Sequence, residues 1–326
     1  MFDPMDERWW ASGAHLNWRD STSPVRPRWM PGHDRALEAL KTRAPAVLRA
    51  LGLARSYRTC ETGQLHMLDP TLPARPDAGL WVAMAGAGLV DLGFPVPVDG
   101  RAWTGTRSTP FMAVRLPIHA DIRPLLRPLG FTPVQTAALG TGALRGARQY
   151  DRHNLICTQL AVLGRSRGWM TCGEAWGRFD LICRDPLMGR GGPDLQLVGS
   201  DMRVCVEMTA SGHMELDGKM RRWDRALEHD SCMDTHVVWL DAARDSPLLG
   251  QLERLCADRP RMHAATARDW LDGDWTCADG FGPAPGDPVE PDDWMRPVMA
   301  DIGARVGLPA AGSWRLPERL RGVWLG

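Results

Sequence analysis

The stretch of sequence that decides the fold covers residues 193–209 and reads PDLQLVGSDMRVCVEMT. Residues 195–198 form a short apolar run, and residues 199–201 are turn formers. From Arg203 to Thr209 the side chains alternate, with the apolar residues at 204, 206 and 208 on one face and Glu207 on the other. The stretch therefore predicts a β-hairpin that carries Glu207 on its second strand.

The predicted hairpin brings two acidic residues to one end of a sheet. Asp194 precedes the first strand and Glu207 lies on the second, so their carboxylates can lie side by side. Two such groups form a site of hard oxygen ligands that suits Mg²⁺ or Mn²⁺ and phosphodiester chemistry. Glu174, which follows the apolar run ending at Cys172, is a candidate third acid, and Asp180 competes with it for that role.

The sequence on either side of the hairpin indicates an α/β unit. Residues 216, 220, 223 and 227 are apolar at helical spacing, which predicts an amphipathic helix over residues 214–229. Residues 236–240 fit a buried strand, and Ser246 with Pro247 fits the start of a further helix. Upstream, a helix is predicted over 146–163. Two short apolar runs at 168–173 and 179–183 follow it, and we interpret them as strands.

The chain divides into five predicted segments. Residues 34–118 contain three helical patterns, the first kinked at Pro45, followed by a strand at 111–116, which is the order of a winged helix. Residues 146–272 form the α/β core. The remaining segments are a Trp/Arg/Pro-rich arm at 1–33, a proline-containing linker at 119–145 and an acidic Pro/Gly-rich tail at 273–326.

The motifs between 150 and 225 resemble the restriction-endonuclease-like PD-(D/E)xK core, and in particular the replication-relaxation family of actinobacterial plasmids and mobile elements. The similar residues are Pro193-Asp194, then Glu207 on its strand, then a helix with Lys219. The resemblance extends over residues 34–272 and implies a winged-helix-like domain in front of the core. It also implies functional roles for His153 on the helix that opens the core and for Glu174.

One position departs from the family pattern, in which a lysine stands two residues after the strand acid. Thr209 occupies that position, and the chain has only two lysines, Lys41 and Lys219, beside 37 arginines. The lysine role can therefore fall to Lys219 on the next helix, or to an arginine such as Arg221 or Arg222, which holds a phosphate but stays protonated. If none of these residues takes the lysine role, the chain has the nuclease fold but no longer cleaves DNA.

Each candidate residue also has a structural interpretation. Asp194 fits a turn before a strand, and Glu207 fits a solvent-facing strand position. His153 fits a hydrogen-bonded core imidazole, and Lys219 fits a surface charge beside an amphipathic face. No dinucleotide, hydrolase or P-loop motif occurs, so nothing supports a small-molecule enzyme.

Charge is balanced overall but not locally. The chain has 39 basic and 39 acidic residues. Residues 121–190 carry ten arginines against five acids, whereas residues 269–301 carry nine acids and one arginine. A basic approach to an acidic metal site suits a DNA substrate. The acidic stretch is either a solvated linker or, by our hypothesis, a segment that competes with DNA for the basic surface.

We expect a cytoplasmic protein without a membrane segment. The eight cysteines lack paired metal-ligand spacing, so we expect buried, reduced thiols. The helix predicted over 77–90 is apolar and offers no side chain for base edges, which favours packing or a homodimer. The residues predicted to grip DNA phosphates are instead arginines at and near the wing and on the core's first helix: Arg75, Arg101, Arg107, Arg115, Arg148 and Arg152.

The sequence thus predicts a DNA-binding protein of a plasmid or mobile element with two functional alternatives. In the first, it nicks or cleaves DNA by Mg²⁺-dependent (or Mn²⁺-dependent) phosphodiester hydrolysis. Asp194 and Glu207 then hold the metal, Glu174 assists, and Lys219 steadies the water or the phosphate. In the second, the nuclease fold is inactive and acts as a DNA-binding or assembly factor.

Overall fold

The described residues form a mixed α/β structure with two sheets. The computed structural model describes residues 3–10, 15–19, 27–96, 109, 111–140, 143–146, 151–210, 216–243, 248–284, 286 and 303. It divides into unit 1, Met1–Thr158 with Met299–Gly326, and unit 2, Gln159–Val298. The predicted α/β class is therefore confirmed.

Unit 1 contains a four-stranded antiparallel sheet in the order β1-β3-β4-β2. The strands are β1 (Leu16–Arg19), β2 (Thr59–Glu61), β3 (Asp91–Pro95) and β4 (Ala113–Arg115). β1 lies within the segment predicted as an arm, where no strand periodicity is visible, and it pairs with β3 from Leu16 opposite Pro95 onward. Part of the predicted arm is thus an edge strand of this sheet.

The helices of unit 1 follow the predicted order. They are α1 (His33–Lys41), α2 (Ala44–Tyr57), α3 (Thr62–Leu68), α4 (Gly79–Gly86), α5 (Arg123–Leu126) and α6 (Pro133–Ala138). Pro45 stands in the first turn of α2, where its missing N–H costs nothing, so the predicted kink is a break between two helices. A capping box between Glu61 and Gln64 begins α3. The short helices α5 and α6 lie in the predicted linker.

The apolar segment at 77–90 is covered by the chain itself. α1 packs on α4, and every residue from Leu80 to Val90 except Val82 is buried. A Cβ on Gly86 would lie 2.8 Å from the carbonyl oxygen of Pro31, so glycine permits this close approach. Intrachain packing thus accounts for the apolar composition, and the homodimer through this segment stays a prediction.

Unit 2 is built on a five-stranded sheet in the order β5-β6-β7-β8-β9. The strands are β5 (Met170–Gly173), β6 (Leu195–Val198), β7 (Arg203–Thr209), β8 (Thr235–Asp241) and β9 (Met262–Thr266). β5, β6 and β7 are antiparallel, whereas β8 and β9 run parallel to β7. β7 is therefore the central strand and links the two halves of the sheet.

Helices cover both faces of this sheet. They are α7 (Asp151–Ser166), within which the boundary between the units falls, α8 (Phe179–Ile182), α9 (Leu216–Leu227), α10 (Leu249–Cys256) and α11 (Ala267–Asp272). α8, α9 and α10 share one core with β7, β8 and β9. On the other face, Gly164 of α7 lies against Leu197 and Thr171. Burial on both faces makes residues 204–208 of β7 all inaccessible. Across the described ranges, no helix is long and apolar enough to cross a membrane.

The interpretation of residues 179–183 as a strand is wrong. Phe179–Ile182 forms one helical turn, in which the Cys183 N–H donates to the Phe179 carbonyl at 2.8 Å. The Phe179 ring packs edge-on against Trp223 of α9, with ring centroids 4.7 Å apart. An apolar run this short fits a strand and a helix equally well, and the packing partner on α9 decides between them.

The beginning of the predicted acidic tail is part of unit 2. The Ala278 N–H donates to the Ala264 carbonyl of the edge strand β9 at 2.8 Å. Asp279 accepts a 2.7 Å bond from His263, whose other ring nitrogen lies 2.9 Å from Nδ1 of His236. The ring of Phe281 stacks on His263 at 3.8 Å between centroids. Residues 287–302 and 304–326 lie outside the described part. The hypothesis that the acidic stretch competes with DNA concerns these residues and stays a prediction.

We predict that this histidine pair makes stability depend on pH. Burial lowers the pKa of His236, and the charges of His263 and Arg261 lower it further, against Asp234 and Asp279. The folded chain thus favours the neutral ring, so stability is full above about pH 6.5 and is lost as pH falls through the folded-state pKa. The Tm should fall between about pH 7.5 and pH 5, and fall less in His236→Gln. Equal pH slopes for both proteins in thermal melts would refute this role.

Candidate active site

The pairing of β6 with β7 places the two predicted acids at the same end of the hairpin. β6 and β7 pair with Leu195 opposite Val206, and the Asp194 N–H donates to the Val206 carbonyl at 2.9 Å. Asp194, the residue before the paired part of β6, thus lies against Val206, which precedes Glu207 in β7. The hairpin therefore holds the two carboxyl groups as neighbours.

Glu207 is buried, with 2% of its surface exposed, and α9 supplies partners for both of its oxygens. Trp223 Nε1–H donates to Oε1 at 2.7 Å, and the Lys219 ammonium donates to Oε2 at 2.9 Å. Lys219 and Trp223 are four residues apart, so a helix brings both to one carboxylate. The side chain of Lys219 remains 46% exposed, so its charge faces solvent above the buried acid.

Burial raises the pKa of Glu207, because an interior position disfavours the charged carboxylate. The positive charge of Lys219 opposes this effect, whereas the charge of Asp194 adds to it. Asp194 thus lies within electrostatic reach of Glu207. Among the groups that favour the charged form of Glu207, Lys219 has the largest effect.

Gly192 shapes the loop that leads to Asp194. A Cβ on Gly192 would overlap the carbonyl oxygen of Gly177, so this close approach requires glycine. Pro193 is buried next to it. Beyond the loop, the Met208 N–H donates to Oδ2 of Asp194 at 2.8 Å. The half-buried Asp194 carboxylate is therefore fixed from both strands.

The acids fit a magnesium ion by their chemistry. Asp194 and Glu207 offer only oxygen ligands, and Mg²⁺ in proteins often has one or two carboxylates and keeps several waters. In the described part of the chain, no group of three or more His, Cys, Asp or Glu side chains converges as a metal site. A cation here would therefore be held by two carboxylates, with water or substrate oxygens as its other ligands.

The other predicted site residues follow β5 or lie on α8 and α7. Glu174 follows β5 directly and is half-buried, but it does not join Asp194 and Glu207 in a three-acid group. Asp180, its competitor, binds Arg178 through both oxygens at 2.9 Å. His153 lies half-buried on α7, in the part of that helix that belongs to unit 1.

Two of the predicted DNA-contacting arginines have partners within the chain. Arg75 is exposed, and its guanidinium forms a two-point ion pair with Asp77 at 2.7 and 2.9 Å. Arg152 is half-buried on α7 and donates to the Pro4 carbonyl at 2.7 Å, and burial lowers its pKa to about 10. Arg101, Arg107 and Arg148 lie outside the described residues.

The structure corrects the placement of Arg115, which was predicted as a phosphate contact near the wing. Its side chain is 10% exposed and lies 3.4 Å from Asp91 and 3.9 Å from Asp151. The indole of Trp18 covers its guanidinium at 3.8 Å and donates to Asp151 at 2.9 Å. A buried, ion-paired arginine is a structural element of this sheet, because reaching a DNA phosphate would break up the cluster.

Sequence reasoning placed Trp223 on the apolar face of its helix and missed its hydrogen bond to Glu207. The signal was present, because a buried indole needs a hydrogen-bond acceptor and Trp223 follows Lys219 by one helical turn. Comparison with protein-family models, curated proteins and solved structures finds no match for this chain.

We predict that Trp223→Phe destabilises the protein more than Trp239→Phe. Both indoles are buried, but Trp239 Nε1 has no hydrogen-bond partner among the described residues, so only Trp223→Phe removes a donor from a buried carboxylate. The expected difference in unfolding free energy is about 1–3 kcal/mol. Urea denaturation of both variants measures it, and equal losses would show that the Trp223–Glu207 bond contributes nothing.

Proposed function

We propose that the chain binds DNA and hydrolyses a phosphodiester bond in it with the help of Mg²⁺ or Mn²⁺. The observation that carries the proposal is the contact of Lys219 Nζ with Glu207 Oε2 at 2.9 Å, beside Asp194. Asp194, Glu207 and Lys219 correspond to the two acids and the lysine of the PD-(D/E)xK pattern. Lys219 reaches Glu207 from α9. It therefore supplies the ammonium that is missing at Thr209, the position of the family's lysine.

The order of elements supports this proposal in both units. In unit 2, α7, three antiparallel strands, α9 and the parallel strand β8 follow the helix–strands–helix–strand order that the family resemblance implies. In unit 1, α2, α3 and α4 precede the paired strands β3 and β4, which is the helix-then-hairpin order of a winged helix. The resemblance to the replication-relaxation family adds the setting, replication or transfer of a mobile element.

The residues divide the chemistry among them. Asp194 and Glu207 would hold the metal ion, which when bound supplies an activated water and polarises a phosphoryl oxygen. Lys219 offsets part of the cost of charging the buried Glu207 and presents N–H donors at the surface, where the scissile phosphate or the attacking water can accept them. Glu174, which follows Gly173 opposite Leu195, would orient that water.

A second function is favoured by the burial of Glu207. Its carboxylate is 2% exposed and both oxygens already accept hydrogen bonds. A cation would have to share these oxygens with Lys219 and Trp223. If it cannot, the same fold binds DNA without cutting it and serves as an assembly or regulatory factor.

We predict that nicking of supercoiled plasmid in Mg²⁺ or Mn²⁺ falls at least about 100-fold in Asp194→Asn, Glu207→Gln and Lys219→Met. Asp217→Asn, which removes an exposed carboxylate of α9, is the matched control and should nick like wild type. Chelation of the metal should stop the reaction.

The outcomes separate the two functions. Cleavage that survives both Asp194→Asn and Glu207→Gln would rule out the catalytic assignment. DNA binding by a wild-type protein that never nicks would favour the assembly factor.

A further inference from the structure

Arg222 lies on the same edge of α9 as Lys219. The two are three residues apart, and residues of an α-helix advance by about 100° each, so Arg222 stands nearly above Lys219 one turn later. Arg221, by the same geometry, lies about 160° from Lys219 and points away from the site. The next residue after Arg222 is Trp223, which is bonded to Glu207. The helix therefore carries a second positive charge along the edge that borders the acids.

The guanidinium of Arg222 is held against the loop that leads to Asp194. Its Nη1 atom lies 2.5 Å from the position that a Cβ on Gly191 would occupy. Its central carbon lies 5.8 Å from the ring centroid of Phe179. Gly191 is anchored in turn, because its carbonyl accepts the Phe179 N–H at 2.6 Å. The guanidinium of Arg222 is thus held beside Gly191, which lies three residues before Asp194 in the loop.

The charge of Arg222 is not neutralised within the described part of the chain. No carboxylate there pairs with its guanidinium, whereas Arg178 and Arg259 pair with Asp180 and Asp224. Arg222 is also exposed to solvent. An exposed, oriented and unpaired guanidinium is the geometry that binds a phosphate by two parallel hydrogen bonds.

We propose that Arg222 binds a backbone phosphate of the DNA beside the scissile bond. Two residues then share the work of one motif lysine: Lys219 stays on Glu207, and Arg222 holds the nucleic acid in register with Asp194. The site thereby selects a substrate with consecutive phosphodiesters, a nucleic-acid strand, over a lone phosphomonoester. This inference rests on the DNA-binding function proposed above.

The first test is DNA binding without metal. Fluorescence anisotropy of a labelled duplex in chelator, repeated over a series of salt concentrations, gives affinity and its salt slope. Arg222→Ala should weaken binding about tenfold and reduce the slope by about one, because one phosphate contact is lost. Arg221→Ala is the matched control, with the same charge change one residue away, and should show a clearly smaller effect.

The second test uses Gly191. A Cβ there must push the end of the Arg222 side chain aside without altering its charge, and the φ angle of Gly191 is not in the left-handed region, so alanine fits the backbone. Gly191→Ala should weaken DNA binding in the wild type and have no further effect in the Arg222→Ala background. Thermal melts check that both variants are folded.

The results distinguish a failure of the Arg222 role from a failure of the proposed function. Equal effects of Arg222→Ala and Arg221→Ala, or additive effects of Gly191→Ala and Arg222→Ala, would overturn the role of Arg222 and leave the proposed function standing. If the wild type has no salt-dependent affinity for DNA, the proposed function fails and the phosphate contact fails with it.

Discussion

Glu207 puts a carboxylate into the interior of a sheet whose faces are both covered by helices. Burying an ionised carboxylate costs free energy unless hydrogen bonds and an opposite charge compensate it. α9 supplies both, through the indole of Trp223 in the core and the ammonium of Lys219 at the surface. α9 is therefore held on the sheet by this acid as well as by its apolar face. The edge of α9 that carries Arg222 is placed by the same contacts.

Local patterns in the sequence predicted the elements around the site. The alternation over 203–209 and the apolar spacing over 216–227 correspond to β7 and α9. The predicted strand at 236–240 lies within β8. Pairing between distant segments left no such pattern: β1 joins β3 across a long stretch of chain, and α8 is a helix only because its apolar side chains meet α9. Periodicity describes one element and does not identify its partner.

In the site, too, local patterns were predicted from the sequence and contacts between distant segments were not. The neighbourhood of Asp194 and Glu207 followed from a short hairpin, and Lys219 followed from the scarcity of lysine. The solvent-facing alternative for Glu207 is wrong, because alternation separates two faces without showing that both are covered. Arg115 was misplaced because Asp91 and Asp151, which hold it in the interior, are remote in sequence.

We propose that Asp194 and Glu207 together bind one cation while Lys219 stays bonded to Glu207. Crystals soaked in Mn²⁺ and measured at the manganese absorption edge test it most directly. We expect one anomalous peak in contact with both carboxylates, with Lys219 Nζ remaining beside Glu207. A peak elsewhere, or Glu207 still bonded to Lys219 and Trp223 alone at saturating Mn²⁺, would contradict the metal site and leave the assembly function in its place.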